Sequence, residues 1–332
     1  GIRRSRIRYV HRFEEIISVE NLLEAWREFL NGKRGRRDVE EFSLHLMDNI
    51  LSLHSDLATQ NYHHGVYKAF RINDPKPRSI HKAAVRDRLL HHALCRKLYP
   101  FFDRIFIADS FSCRKGKGTH KALQRFSAFG RKVSKNDTRT CWVLKCDIRK
   151  FFENIDHRTL AGILEKRIAD LRILLLIRNI IESFHSRNEH IGLPLGNLTS
   201  QLFVNIYMNE FDQFVKHKLR AMCYIRYADD FVIFSENREW LMELVPQIRK
   251  FLQKKLQLEL HPDKLFLKTL ASGVDFLGWV HFLDHRVLRT TTKKRMFRAI
   301  RRKQDNKAII QSYVGLLKHG NARKLMRKVA EL

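Results

Sequence analysis

Apolar residues recur at helical spacing through the first sixty positions. Val19, Leu22, Leu23, Trp26, Phe29 and Leu30 follow a 3.6-residue period, with Ser18 placed to cap that helix and Asn31-Gly32 to stop it. After a basic tip at Lys33 to Arg37, Asp38 and Glu41 have capping-box spacing for a second helix, with Phe42, Leu46, Ile50, Leu53 and Leu57 along one face. From Val66 the texture changes to β-type runs, VYKAFRI and RSIHKA, parted by Asp74-Pro75 and Lys76-Pro77, which read as a hairpin carrying basic residues. A helix over about 87 to 102, a Gly-rich loop at 114 to 118 and a helix over about 119 to 129 follow.

Residues 141 to 290 alternate between strand and helix. CWVLKCDI is a nearly continuous apolar run ending in an aspartate, the pattern of a buried strand that delivers a carboxylate. Helices are predicted from about His157, from about Leu171 and over 200 to 219, and CYIRY and FVIFS flank an acidic pair as a hairpin. A long helix over 238 to 256 contains Pro246, which should kink or split it. Short strands at 265 to 269 and 274 to 282 are expected to complete the sheet, and the last 40 residues read as helical and basic. The fold class is α+β.

Charge narrows the partner. Lys and Arg number 64 against 35 Asp and Glu in 332 residues, a formal net of +29. Self-repulsion of that size opposes compaction unless a polyanion neutralises it, and nucleic acid is the expected one. The aliphatic run Ile173 to Ile177 is cut short by Arg178, far below the roughly 18 apolar residues of a membrane span, so no membrane association is expected. Five cysteines without a CxxC pair signal neither a disulfide framework nor a zinc knuckle and suit a reducing cytoplasm. GIRRSRIRYV is charged but lacks the apolar core of a secretory signal.

The strongest chemical feature is Tyr227-Ala228-Asp229-Asp230 between two β-branched and aromatic runs. Adjacent carboxylates in so apolar a hairpin repel and are desolvated, a conflict that divalent cations resolve. With Asp147 as a third carboxylate, two hard cations can be held by oxygen ligands, the arrangement suited to phosphoryl transfer. Gly116-Lys117-Gly118-Thr119 lacks the spacing of a phosphate-binding loop and reads as a basic turn and helix cap. The pairs His63-His64 and His91-His92 lack metal-ligand spacing and are assigned no function.

An ordered set of motifs surrounds these residues. YADD, VLKCDIRKFFENIDH and GLPLGNLTSQLFVNIYMNEFD resemble the central motifs of reverse transcriptases; LELHPDK and FLGWV resemble the next two, and KPRSI, VRDRLLHHAL and SFSCRKGKGTHKAL the upstream fingers motifs. The resemblance covers about residues 60 to 290. It implies a right-hand polymerase with fingers, palm and a short helical thumb, and RNA-templated DNA synthesis. Its domains would be an N-terminal helical extension (1–60), fingers (61–140, with part of 157–190), palm (141–285) and helical thumb (286–332).

Residue by residue, the resemblance implies that Asp147, Asp229 and Asp230, with the Ile148 carbonyl, hold two Mg²⁺ ions, Mn²⁺ being a substitute. Phe152 matches the aromatic gate that excludes a ribose 2′-OH, Lys76 and Arg78 the residues that grip the triphosphate, and Lys264 a lysine that protonates the leaving pyrophosphate. Ile191 and Gln201 would lie at the nucleotide site. Arg114, Lys115 and Lys117 in the basic loop are assigned to nucleic acid. So are Lys294, Arg298, Arg301 and Arg302, which share a stripe on a helix whose Met296, Ala299 and Ile300 can pack.

The subtype is read from the helix motif. Ile191-Gly192 replaces the usual Gln-Gly and Ser200-Gln201 the usual Ser-Pro; with Gly196 to Gln201 as GxxxSQ, the chain resembles the enzymes of diversity-generating retroelements. The chain ends soon after Phe276-Leu277-Gly278-Trp279, so no maturase or endonuclease domain is expected. The resemblance implies error-prone cDNA synthesis from a template RNA for targeted protein diversification, with errors concentrated at template adenines. It also implies cDNA or primer and dNTPs as partners, a basic homo-oligomeric accessory variability protein, and a cytoplasmic location for a bacterial, archaeal or phage-encoded enzyme. The alternatives are a group II intron-like or defence-associated reverse transcriptase and, from another class, a non-polymerising RNA-binding scaffold.

Overall fold

The computed structural model describes residues 8–73, 77–302 and 307–330. Its first elements are α1 (Phe13–Ile17), α2 (Val19–Phe29), α3 (Arg37–Leu44), α4 (Leu46–Ala58), β1 (Lys68–Ile72), β2 (Arg78–Lys82) and α5 (Val85–Ile105). Then come α6 (Thr119–Val133), β3 (Trp142–Asp147), α7 (His157–Glu165), α8 (Leu171–Glu182), α9 (Leu198–Gln213), β4 (Tyr224–Tyr227) and β5 (Asp230–Ser235). The chain closes with α10 (Arg238–Leu256), β6 (Phe266–Thr269), β7 (Val274–Phe276), β8 (Trp279–His281), β9 (Arg286–Leu288), α11 (Thr290–Arg302), α12 (Lys307–Leu317) and α13 (Arg323–Ala330). The mixture is α+β, as the patterning predicts.

Two compact units are interleaved along the sequence. One takes the residues before 108, Lys150–Asp212 and Phe251–Glu259; the other takes Ala108–Arg149, Gln213–Lys250 and the residues from Leu260 onward.

In the first unit, Ser18 caps α2 by accepting the Asn21 N–H at 3.2 Å, and Leu22, Trp26 and Phe29 are buried. Buried Asn21 ties α2 to α5 by donating to the Ala93 carbonyl at 3.1 Å. The second predicted helix differs from expectation. It begins at Arg37, and Asp38 binds Lys82 and Arg88 instead of forming a capping box. It also breaks at His45, where Asn49 Nδ2 donates to the freed Phe42 carbonyl at 3.0 Å and so lowers the cost of the interruption. β1 and β2 form the expected antiparallel hairpin, Lys68 opposite Lys82 and Ile72 opposite Arg78.

In the second unit, four antiparallel strands lie in the order β4-β5-β3-β6, with Phe126 and Phe129 of α6 in the same core as Val143, Ile225, Val232 and Phe234. The segment 274–282 does not complete this sheet. A 3-10 turn at Leu270–Ser272 and Gly273 at φ +85° redirect the chain, and β7, β8 and β9 form a separate three-stranded sheet. Trp279 packs with Met296, Ile300, Leu317 and Val329 of the last helices and with Leu123. Helix α10 is unbroken at Pro246: the carbonyl that Pro246 leaves without a donor is that of Met242, at an exposed position. Among the described residues no helix is long and apolar enough to cross a membrane.

Candidate active site

Register builds the site. Along β3 the period of two puts Val143, Lys145 and Asp147 on one face, and pairing with β5 sets Asp147 directly opposite Asp230. β4 and β5 are joined by only two residues, Ala228 and Asp229, with Tyr227 opposite Asp230. A loop this short needs a left-handed residue, and Ala228 supplies it at φ +56° against its side chain's preference. The turn is held from several sides. Ile148 N–H donates to the Asp229 carbonyl at 3.2 Å, and the Asp147 carbonyl accepts from His261 N–H at 2.8 Å. Buried Arg226 donates to the Ala228 carbonyl at 3.1 Å, and the Tyr227 and Thr119 hydroxyls share a hydrogen bond at 3.0 Å.

The electrostatics are unevenly satisfied. Lys264 Nζ lies 2.8 Å from Asp147 Oδ1 and Lys145 Nζ 3.9 Å from Asp230 Oδ1. Burial, followed by repulsion from Asp230 and Asp147, pushes the Asp229 carboxyl up to about 6. Burial also raises that of Asp230. Among the described residues, no three His, Cys, Asp or Glu side chains converge into a ready-made metal cage. The donor chemistry nonetheless suits a hard divalent cation: the groups are carboxylate oxygens, and their mutual repulsion is what such an ion would relieve. Lys145 and Arg226 were not anticipated. Strand alternation points to Lys145, two residues before Asp147, whereas nothing in CYIRY marks its arginine as buried.

The other candidates are distributed as follows. Arg78 opens β2 and is exposed, and Lys76 lies outside the described residues. Phe152 is half-buried in a 3-10 turn (Phe151–Asn154), its ring centroid 5.5 Å from that of Phe151 and its carbonyl accepting from Leu193 N–H at 2.8 Å. Ile191 and Gln201 are half-buried, Gln201 in the first turn of α9. These residues belong to the first unit; Asp147, Ile148, Asp229, Asp230 and Lys264 belong to the second. In the basic loop, Arg114 donates to the Ser110 carbonyl at 3.0 Å and Lys117 to that of Ala108 at 2.8 Å, while Lys115 is exposed. On α11, Lys294, Arg298, Arg301 and Arg302 are exposed, Met296 and Ile300 buried and Ala299 half-buried. His64 and His91 meet inside the first unit, Nε2 to Nε2 at 3.2 Å.

The family model described as reverse transcriptase (RNA-dependent DNA polymerase) matches residues 72–281. The chain is 26% identical over 272 residues to protein YkfC of Escherichia coli, covering 70% of this chain and 69% of that one. It is 25% identical over 293 residues to the group II intron-encoded protein LtrA of Lactococcus lactis subsp. cremoris, covering 67% of this chain but only 47% of the relative. Among solved structures, apo telomerase from Candida tropicalis aligns with a TM-score of 0.50 at 12% identity, over 74% of this chain and 60% of that one. That likeness concerns the fold alone, and the α+β architecture is that of a right-hand polymerase.

Proposed function

The chain belongs to the reverse transcriptase family, and from that premise we propose that it is an RNA-directed DNA polymerase that copies a template RNA into error-prone cDNA for targeted protein diversification. The observation that carries the polymerase reading is the register that sets Asp147 opposite Asp230 with Asp229 in the turn beside them. Asp147, Asp229, Asp230 and the Ile148 carbonyl would hold two Mg²⁺ ions, or Mn²⁺ in their place, which lower the pKa of the primer 3′-hydroxyl and neutralise the leaving pyrophosphate. Lys264, whose ammonium already lies at Asp147, delivers a proton to that leaving group. Lys76 and Arg78 bind the triphosphate, and Phe152 meets the sugar and excludes a 2′-OH. A net charge of +29 suits template RNA and the growing cDNA.

The diversification role is supported by Ile191 before Gly192 and by the Gly196 to Gln201 pattern. A basic homo-oligomeric accessory protein and a cytoplasmic setting belong to the same reading. A group II intron-like role is the second reading, favoured by the similarity to LtrA.

Primer extension on an RNA template tests both. Asp229→Asn keeps the size of the side chain and removes its charge, so extension should fall roughly 10³-fold or more. Equal extension by parent and variant would overturn the assignment. Sequenced cDNA separates the two roles: errors concentrated opposite template adenines support diversification, and an even spectrum supports the intron-like role.

A further inference from the structure

Arg226 lies in β4 immediately before the Tyr-Ala-Asp-Asp turn, yet only 1% of it is exposed. A guanidinium stays charged, and burying one is costly unless its donors are engaged. Nη1 donates to the Ala228 carbonyl at 3.1 Å and Nη2 to Ser110 Oγ at 3.0 Å. Ser110 is itself fastened to β4: the Asp109 carbonyl accepts from Arg226 N–H at 3.0 Å, and Phe111 N–H donates to the Arg226 carbonyl at 3.0 Å. The side chain is therefore anchored on one side and grips, on the other, the carbonyl of the turn residue at φ +56°. An alanine released from that conformation relaxes toward negative φ, which rotates the next peptide and carries Asp229 away from its place beside Asp230.

We infer that Arg226 is a positioning residue: it clamps Ala228 in the left-handed conformation and thereby fixes Asp229. The inference rests on the reading of the three carboxylates as the polymerising centre. Arg226 acts through the backbone and touches no substrate.

The test combines kinetics with local hydrogen exchange. Arg226→Met keeps about the same volume and removes the donors to Ala228 and Ser110, leaving their buried oxygens without that partner, so a thermal melt first establishes that the variant folds. The substitution should lower kcat by about 10- to 100-fold with KM for dNTP changed by less than about 2-fold. Arg226→Lys, able to reach one acceptor, should recover part of the activity. Ala228→Gly added to Arg226→Met should also recover activity, because glycine adopts positive φ without a clamp. Exchange in the peptide spanning 227–231 should accelerate in Arg226→Met while β3 and β6 keep their protection.

An unchanged kcat, or faster exchange spread evenly over the sheet, would overturn the inference. If Arg226→Met does not fold, Ser110→Ala decides: kcat lowered about 2- to 5-fold with faster turn exchange supports the clamp, and parental behaviour in both overturns it. Should the parent protein fail to extend primers, the reading of the centre fails, and turn exchange alone then decides whether Arg226 positions Asp229.

Discussion

Lys264 Nζ lies 2.8 Å from Asp147 Oδ1, while the His261 N–H in the same turn holds the Asp147 carbonyl at 2.8 Å. One short segment thus fixes both the backbone and the side chain of the first carboxylate. Asp230 has a more distant ammonium in Lys145, at 3.9 Å, and Asp229 carries the largest uncompensated charge of the three. The centre is graded, from a carboxylate with a close cation to one whose pKa burial and its carboxylate neighbours raise to about 6.

Lys264 accordingly has two separable effects, as counter-ion and as proton donor. Lys264→Met should slow single-nucleotide incorporation by roughly 10²-fold, the usual contribution of a general acid. Rapid-quench incorporation in H₂O and in D₂O checks the role: the parent should show a solvent isotope effect from the transferred proton, and the variant should lose it. A variant retaining the parent's isotope effect would show that another group donates the proton.

A second prediction concerns stability. His281 is 1% exposed, its ring 4.1 Å from that of Phe126 and its Nε2 without a hydrogen-bond partner among the described residues. Burial, aided by Arg286, pushes its pKa from 6.5 down to about 3. Because the folded value lies below the unfolded one, the unfolded chain takes up the proton first as pH falls. This contribution is complete above about pH 6.5 and is lost progressively toward pH 3, amounting to about 2 kcal/mol by pH 5. Urea melts at pH 7 and pH 5 should therefore show a larger acid loss in the parent than in His281→Leu. Equal losses would mean that His281 can be protonated in place.

The parts legible in the sequence are those whose signal is local. Ser18 before a periodic apolar face marks the start of α2, and two β-rich runs around Ala228-Asp229 mark the hairpin and the carboxylates. The parts that escaped depend on distant partners. Asp38 is drawn from its capping role by Lys82 and Arg88, and Asn49 makes the interruption at His45 tolerable. Pro246 stays inside a helix because the carbonyl it orphans lies at an exposed position. Arg226 gives no sign of burial, because the cover over that edge of β4 comes from residues 109–111, more than a hundred positions upstream.

The helix α11 presents Lys294, Arg298, Arg301 and Arg302 to solvent while Met296 and Ile300 are buried, so its basic stripe can meet nucleic-acid backbone without disturbing the packing. Removing one cation that neutralises a phosphate should reduce the slope of log affinity against log salt by about 0.7 to 0.9. Lys294→Ala with Arg298→Ala should therefore flatten the salt dependence of template-primer binding by about 1.4 to 1.8. A slope equal to the parent's would place the duplex elsewhere.

The last prediction concerns fidelity, and the backbone around Ile191 makes it clean. The Ile191 carbonyl accepts the Ser186 N–H at 2.8 Å, and Gly192 follows at φ +105°, where a Cβ would lie 2.8 Å from that of Ser186. Main-chain hydrogen bonds and Gly192 thus set the path of this segment, leaving the half-buried Ile191 side chain open to replacement. Isoleucine can neither donate nor accept a hydrogen bond, whereas a glutamine amide does both. One added neutral hydrogen bond, made mainly to correctly paired nucleotides, is worth about 0.5 to 1.5 kcal/mol and should improve discrimination about 2- to 10-fold. Ile191→Gln should therefore lower misincorporation, most visibly opposite template adenine. Deep sequencing of cDNA made by both proteins from one adenine-containing template checks this, and an error rate in the variant equal to or above the parent's would remove Ile191 from the fidelity of copying.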